Sequence, residues 1–266
     1  MITVKIGGSV FDELHETIMC DIKDVIRNNK IVFVHGGGKE VSKACEKMGI
    51  EPKFLISPSG IKSRHTDKET IEIFTMIMAG KINKTITKLL QKNNINAFGI
   101  SGIDGNLIQA DRKKKLMIVN EKGRKQFVDG GYTGKIKNIN TSILNLLLDN
   151  NYIPVIAPIA VSENYEFLNV DGDRAASNIS GSLKMNDLLF LTNVDGLFIN
   201  DKLVNEISYD QIKKIRNKIG HGMEKKILAS IEAIDMGVNR IIIANGKKKN
   251  PIRSALEHHK CTVIQK

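Results

Sequence analysis

The chain has 266 residues, enough for one large α/β domain or two closely packed lobes, and its 41% apolar and 26% charged content is ordinary for a soluble globular protein. Only 5% of residues are aromatic and none is Trp, which argues against stacked-base platforms and aromatic cages, while the net charge of +11 comes without a zinc finger, an RNP-like aromatic motif or a GxxG clamp. Cys20, Cys45 and Cys261 form no CxxC pair, no basic-then-apolar leader precedes the first strand, and no apolar run reaches about 18 residues, so a reducing, cytoplasmic setting without membrane or nucleic acid is expected.

Along the chain, short apolar runs alternate with amphipathic stretches in a βαβα order. Ile2 to Ile6 reads as a strand, Leu14 to Ile26 as a helix, Ile31 to Val34 as a strand and Glu40 to Met48 as a helix. Thr66-x-x-Glu69 has the form of a capping box opening a helix toward Met78, with a break at Gly80 before Lys81 to Leu90. Asn96 to Ile100, Leu107 to Ala110, Leu116 to Asn120 and Gln126 to Val128 are turn-punctuated and charged, and read as hairpins projecting from the sheet. The basic residues gather around them, at Arg112 to Lys115, at Lys122, Arg124 and Lys125, and at Lys135 and Lys137. Such clusters suit a solvated surface or an acidic partner.

Regularity returns with a helix at Ser142 to Leu148, a strand at Val155 to Ala157, a strand pair around Val161 and Phe167 and a helix at Arg174 to Ile179. Leu188 to Thr192 is wholly apolar up to its last residue, as a parallel strand buried on both faces should be. Ser208-x-x-Gln211 caps a helix, Met223 to Met236 forms a long one, Arg240 to Ala244 a strand, and Cys261 to Ile264 a closing edge strand. The fold expected is an open, mostly parallel central sheet with helices on both faces, an αβα sandwich carrying a hairpin lid. The boundary between an acceptor half (1–180) and a nucleotide half (181–266) is soft.

Several strings could carry chemistry. Lys5-x-Gly7-Gly8-Ser9 follows the first strand and reads either as a phosphate loop or as a plain strand-to-turn junction. It is not a Walker A motif, since the lysine precedes the glycines. His35-Gly36-Gly37-Gly38 lies between a strand and a helix, where an open sheet places its ligand crevice and helix N-termini favour anions. His35 reads as a structural flank of that loop.

Asn169-Val170-Asp171-Gly172-Asp173 brings an amide and two carboxylates to a helix start, with Asp171 suited to a plain N-cap. Thr192-Asn193-Val194-Asp195-Gly196 ends the apolar strand, and Gly222-Met223-Glu224-Lys225-Lys226 opens the long helix. Together, two distant lysines, two glycine-rich loops and an aspartate supply what phosphoryl transfer between anionic reactants needs. A carboxylate acceptor is already ionised near neutral pH and needs no general base.

In order, KIGGS, HGGG, SRHTD, GGYTGKI, NVDGD, TNVDG and GMEKK resemble the acetylglutamate kinase branch of the amino acid kinase family over essentially the whole chain. The resemblance implies that Lys5 and Lys226 neutralise the phosphates and Asp173 holds them in register. Gly7, Gly8, Ser9, Gly36 and Gly37 would meet phosphate, the last two also the acceptor. Arg64 and Asn169 would bind the acceptor, and Thr192, Asn193, Asp195, Gly196 and Met223 the nucleotide. ATP with Mg²⁺ would be used, with no all-protein metal site. SGIKSRHTD and GGYTGKI are most similar to kinases acting on 2-aminoadipate or glutamate linked to a small acidic amino-group carrier protein, in lysine or arginine biosynthesis. Tyr132, Thr133 and Lys135 are candidates for the carrier-specific part of the site. A kinase of free N-acetylglutamate is the alternative. The amino-terminal helix of arginine-regulated hexameric relatives is missing, so a homodimer is expected.

Overall fold

The computed structural model describes residues 1–8, 16–216, 219–220 and 222–266, with the side chains of residues 16 and 17 aside. Its elements in order are β1 (Ile2–Ile6), α1 (Glu16–Ile26), β2 (Ile31–His35), α2 (Gly38–Lys47), β3 (Phe54–Ile56), β4 (Lys62–Arg64), α3 (Lys68–Thr75), a π-helical segment (Met76–Ile82) and α4 (Asn83–Lys92). There follow β5 (Ala97–Ser101), β6 (Ile108–Arg112), β7 (Lys115–Val119), β8 (Lys125–Asp129), β9 (Gly134–Ile139), α5 (Ser142–Asp149), β10 (Ile153–Ala157), β11 (Ile159–Val161), β12 (Phe167–Asn169) and α6 (Gly172–Ser182). The chain continues through β13 (Asp187–Thr192), β14 (Phe198–Ile199), β15 (Lys202–Leu203), β16 (Glu206–Ser208), α7 (Tyr209–Ile215), α8 (Glu224–Asp235), β17 (Arg240–Asn245), α9 (Pro251–Leu256) and β18 (Thr262–Gln265).

Eight strands form the central sheet in the order β16-β18-β17-β13-β1-β2-β10-β5, parallel except where β18 meets β17. The apolar runs are continuous because both faces are covered. Phe33, Leu189, Leu191 and Ile242 pack with α1 to α4 and α9, while Val32, Phe190, Ile241 and Ile243 pack with α5 to α8. The αβα sandwich is therefore the fold.

Local expectations fared unevenly. The Ser208–Gln211 capping box is present. The helix at 68 is capped instead by Asp67, whose carboxylate accepts from the Thr70 N–H; Thr66 is buried and turned inward. Gly80 breaks nothing, because the helix passes through it as a π-helical segment. Ala97–Ser101 is not a hairpin arm but the edge strand of the main sheet beside β10. The terminal strand β18 is interior, flanked by β16 and β17, and not an edge. Residues 14 and 15 of the expected first helix lie outside the described residues.

Two hairpins stand over the carboxyl ends of the parallel strands. One pairs β3 with β4, the other β7 with β8. A separate sheet of order β12-β11-β6-β9 supports them from the side. The first hairpin was missed in the sequence, where its three-residue strands are too short to show alternation.

Candidate active site

Lys5 is the fourth residue of β1, with its side chain turned toward the N-terminal turn of α6. There Asp171 caps the helix, accepting from the N–H groups of Asp173 and Arg174. Asp173, itself buried, receives Lys5 Nζ on Oδ1 at 2.7 Å and Lys226 Nζ on Oδ2 at 3.0 Å. Lys226 comes from the first turn of α8, which packs along α6. The three predicted catalytic residues, remote in sequence, thus form one chain of ion pairs. Burial by itself would raise the Asp173 pKa, but the ammonium groups of Lys5 and Lys226 outweigh it and hold the carboxyl well below its usual range. Burial, then the nearby Lys5 charge, lowers the pKa of Lys226.

Two cations held against a single carboxylate leave an excess of positive charge at the cleft. That arrangement suits a phosphoryl group in transit, whose charge spreads over its equatorial oxygens.

The glycine loops lie against each other. A Cβ on Gly8 would stand 3.2 Å from Gly37 N, and one on Gly36 would stand 3.2 Å from Gly8 N. Backbone meets backbone there, and no side chain can intervene. The N–H of Gly7 donates to Leu191 O and that of Gly36 to Ile6 O, each continuing a strand pair. Those two amides are thereby engaged in the sheet, and Gly36, Gly37 and Gly38 line the cavity described next. Ser9 lies outside the described residues. His35 is buried, with Nδ1 donating to Gly36 O at 3.1 Å and Nε2 accepting from Asn83 Nδ2 at 3.3 Å. Burial, reinforced by Lys5, lowers its pKa to about 4. It is a neutral clamp for the loop, as expected.

In front of this corner opens a cavity of about 520 Å³. Lys5, Gly36, Gly37, Arg64, Asn169 and Asp173 line it, together with Thr133 and Lys225. Arg64 donates through Nη2 to Gly38 O at 2.8 Å and Ser42 Oγ at 2.7 Å, while its buried Nη1 has no partner. Thr133 Oγ1 is likewise buried and unpartnered. Unsatisfied buried donors in a cavity wall mark where a polar ligand belongs. Asn169 Nδ2 donates to Thr66 Oγ1 at 2.9 Å. Tyr132 does not reach the cavity; it packs between the two core clusters, with the Arg112 guanidinium 4.2 Å over its ring. Lys135 is exposed on β9.

The second group of predicted residues sits beside the cavity, not in its lining. Thr192 ends β13, and its carbonyl accepts from the N–H of Gly246 beyond the neighbouring β17. Asp195 accepts from Asn245 Nδ2 at 2.9 Å and pairs with Lys248 Nζ at 2.7 Å, so hydrogen bonds from Lys248 and then Asn245 lower its pKa. A Cβ on Gly196 would strike Thr262, which explains the glycine. Met223 precedes α8 and packs against the core. Thr192 to Gly196 lie at the carboxyl end of β13 beside that of β17, where open sheets bind ligands.

Two contributors carried little sequence signal. Asn83, buried in α4, ties three strands together: its Nδ2 donates to Ile100 O and Val155 O and lies 3.3 Å from His35 Nε2. Lys113, in a cluster read as solvated surface or as facing an acidic substrate or partner, lines the cavity, and burial followed by the charges of Arg174 and Lys135 lowers its pKa. An asparagine in an amphipathic helix and a lysine in a basic run look like solvent-facing residues until packing places them.

A model of the amino acid kinase family matches residues 1–245. A chain from Nitrosopumilus maritimus is 62% identical over 265 residues, spanning 100% of this chain and 99% of that one, and bears a name for a LysW-aminoadipate/LysW-glutamate kinase. The LysW-aminoadipate/LysW-glutamate kinase of Saccharolobus islandicus is 41% identical, with 99% of each chain covered. Among solved structures, carbamate kinase from Giardia lamblia bound to AMP-PNP superposes with a TM-score of 0.67 at 16% identity, covering 99% of this chain and 98% of that one.

Proposed function

Because the chain belongs to the amino acid kinase family, we propose that it uses ATP to phosphorylate the side-chain carboxylate of 2-aminoadipate or glutamate linked through its amino group to an acidic carrier protein, giving an acyl phosphate. The observation that carries this reading is the Lys5–Asp173–Lys226 triad at the edge of a cavity whose wall holds Arg64 with an unpartnered Nη1. Lys5 and Lys226 offset charge on the transferring group, and Asp173 keeps the two ammonium groups at a fixed spacing. The amides of Gly8 and Gly37 donate to phosphate oxygens. Arg64 takes the α-carboxylate of the acceptor, with Asn169 and Thr133 on its amide. No base is needed: the acceptor carboxylate is ionised at neutral pH, and His35 is buried and held at both nitrogens.

Residues 1–180 supply the acceptor side and 181–266 the nucleotide side, with Thr192 to Gly196 and Met223 around the adenosine. Mg²⁺ would accompany ATP, held mainly by its phosphate oxygens, and would offset their charge. Both Asp173 oxygens face ammonium groups, so that carboxylate is engaged by Lys5 and Lys226. The enzyme works in the cytoplasm as a homodimer. No helix among the described residues is long and apolar enough to cross a membrane.

The deciding assay measures acyl-phosphate formation on carrier-bound aminoadipate, carrier-bound glutamate and free N-acetylglutamate. Turnover is expected on the carrier-bound acceptors. Efficient turnover of free N-acetylglutamate without carrier would replace this reading with that of an N-acetylglutamate kinase. The two carrier-bound acceptors differ by one methylene, so they should differ by no more than about 1–3 kcal/mol in kcat/KM. Lys226→Ala should lower kcat by about 10² or more with the fold retained.

A further inference from the structure

The basic residues that run together in sequence part company in the fold. Arg112 turns inward to pair with Glu166 and to lie over Tyr132, and Lys113 joins the cavity wall. The hairpin beyond them, β7 and β8, has two unlike faces. On its inner face Leu116 lines the cavity and Ile118 is buried. On the outer face Met117 and Phe127 stand directly opposite each other, 43% and 65% exposed. Lys115 and Lys125 occupy the same outward rows, two positions before Met117 and Phe127 respectively; Asp129 stands opposite Lys115, and Lys122 and Arg124 are exposed at the turn beside Glu121.

A cross-strand Met–Phe pair midway along a projecting hairpin gains little from packing while it faces water. Met and Phe are enriched at the cores of protein interfaces, whereas charged residues belong to their rims. The pair therefore has the form of an anchor inside a frame in which Lys115, Lys122, Arg124 and Lys125 outnumber the carboxylates of Glu121 and Asp129. The frame selects the partner's charge. A second copy of this chain, with its net charge of +11, would meet the frame with repulsion, while an acidic surface would be drawn to it.

We propose that the outer face of the β7–β8 hairpin is the docking surface for the acidic protein that carries the acceptor, with Met117 and Phe127 as its apolar anchor and Lys115, Lys122, Arg124 and Lys125 as its steering rim. This rests on the carrier-linked reading above. Leu116 lies on the opposite face of the same strand, so a carrier seated outside fixes the hairpin over the cavity into which its acceptor reaches.

The test uses the full-length enzyme with Met117→Ser/Phe127→Ser, and separately with Lys122→Glu/Arg124→Glu/Lys125→Glu. All five positions are exposed, and retention of the fold is checked by urea unfolding. KM for the aminoadipate-charged carrier should rise about tenfold or more in each variant, with kcat and KM for ATP within about twofold. Added salt should erase the difference between wild type and the charge-reversed enzyme but not the loss in the serine variant. The affinity for uncharged carrier, measured by calorimetry, should fall in parallel. An unchanged KM and unchanged carrier affinity in the serine variant overturn the proposal. So does Phe127-dependent sedimentation with phosphatidylserine vesicles when the carrier KM is unaffected. If wild type binds uncharged carrier in a Phe127-dependent way yet phosphorylates no charged form, the docking surface stands and the acceptor assignment falls.

Discussion

One carboxylate shared by two ammonium groups makes Asp173 the most exacting residue of the site. Asp173→Asn preserves its shape but leaves Lys5 and Lys226 without the charge that offsets their repulsion. Burial and Lys5 already depress the Lys226 pKa, and Asp173 opposes them. In the variant Lys226 should lose its proton at lower pH, so the alkaline limb of the kcat/KM profile should move to lower pH while kcat falls by about 10² or more. His35 titrates for a different reason. Its unfolded form takes a proton near 6.5, whereas burial delays protonation of the folded form to about 4. Between these values the unfolded chain binds more protons, so stability is complete above the upper value and declines as pH falls toward the lower one, by on the order of 3 kcal/mol. His35→Gln should flatten the dependence of the urea midpoint on pH in that window.

At the scale of elements, caps and edges decide what neighbouring residues do. Asp67, not the Thr66–Glu69 pair, closes the start of α3. Asp67→Ala should therefore cost about 1 kcal/mol in urea unfolding, whereas Glu69→Ala, at an exposed position, should stay within about 0.5 kcal/mol. The sequence shows a capping pattern at both α3 and α7, and only the second is used, because Thr66 is drawn inward to accept from Asn169. The same limit explains β5. Its five residues carry turn signals and charge on either side, so it reads like the hairpins that follow, and only its register with β10 shows it to be part of the sheet. Asp21 gives a third instance: from α1 it accepts the N–H groups of Ile252 and Arg253 and so caps α9, across a separation that no local pattern spans.

For the whole molecule, the open side of the sheet is the point of risk. β5 ends the sheet, yet its outward groups are engaged: Gln91 donates to Ala97 O at 3.2 Å, Lys84 to Gly99 O at 2.6 Å, and the Ser101 N–H reaches Asp104 Oδ2 at 2.6 Å. Side chains thus seal this edge against strand addition. Lys84→Ala/Asp104→Ala should promote concentration-dependent association, visible by light scattering, while wild type keeps a constant mass at the same concentrations.

The same scale separates two kinds of information. Apolar runs long enough to be covered on both sides specified a parallel sheet between helices, and ordered glycine and lysine strings specified the family. These signals act within a strand or a turn, and burial periodicity expresses them directly. Which lysine meets Asp173, which amides of the glycine loops are engaged in the sheet, and why Arg112 and Lys113 turn inward while Lys115 stays outside were settled only by packing. Those outcomes depend on strand register and on which charges lose their water, and both are properties of distant segments brought together.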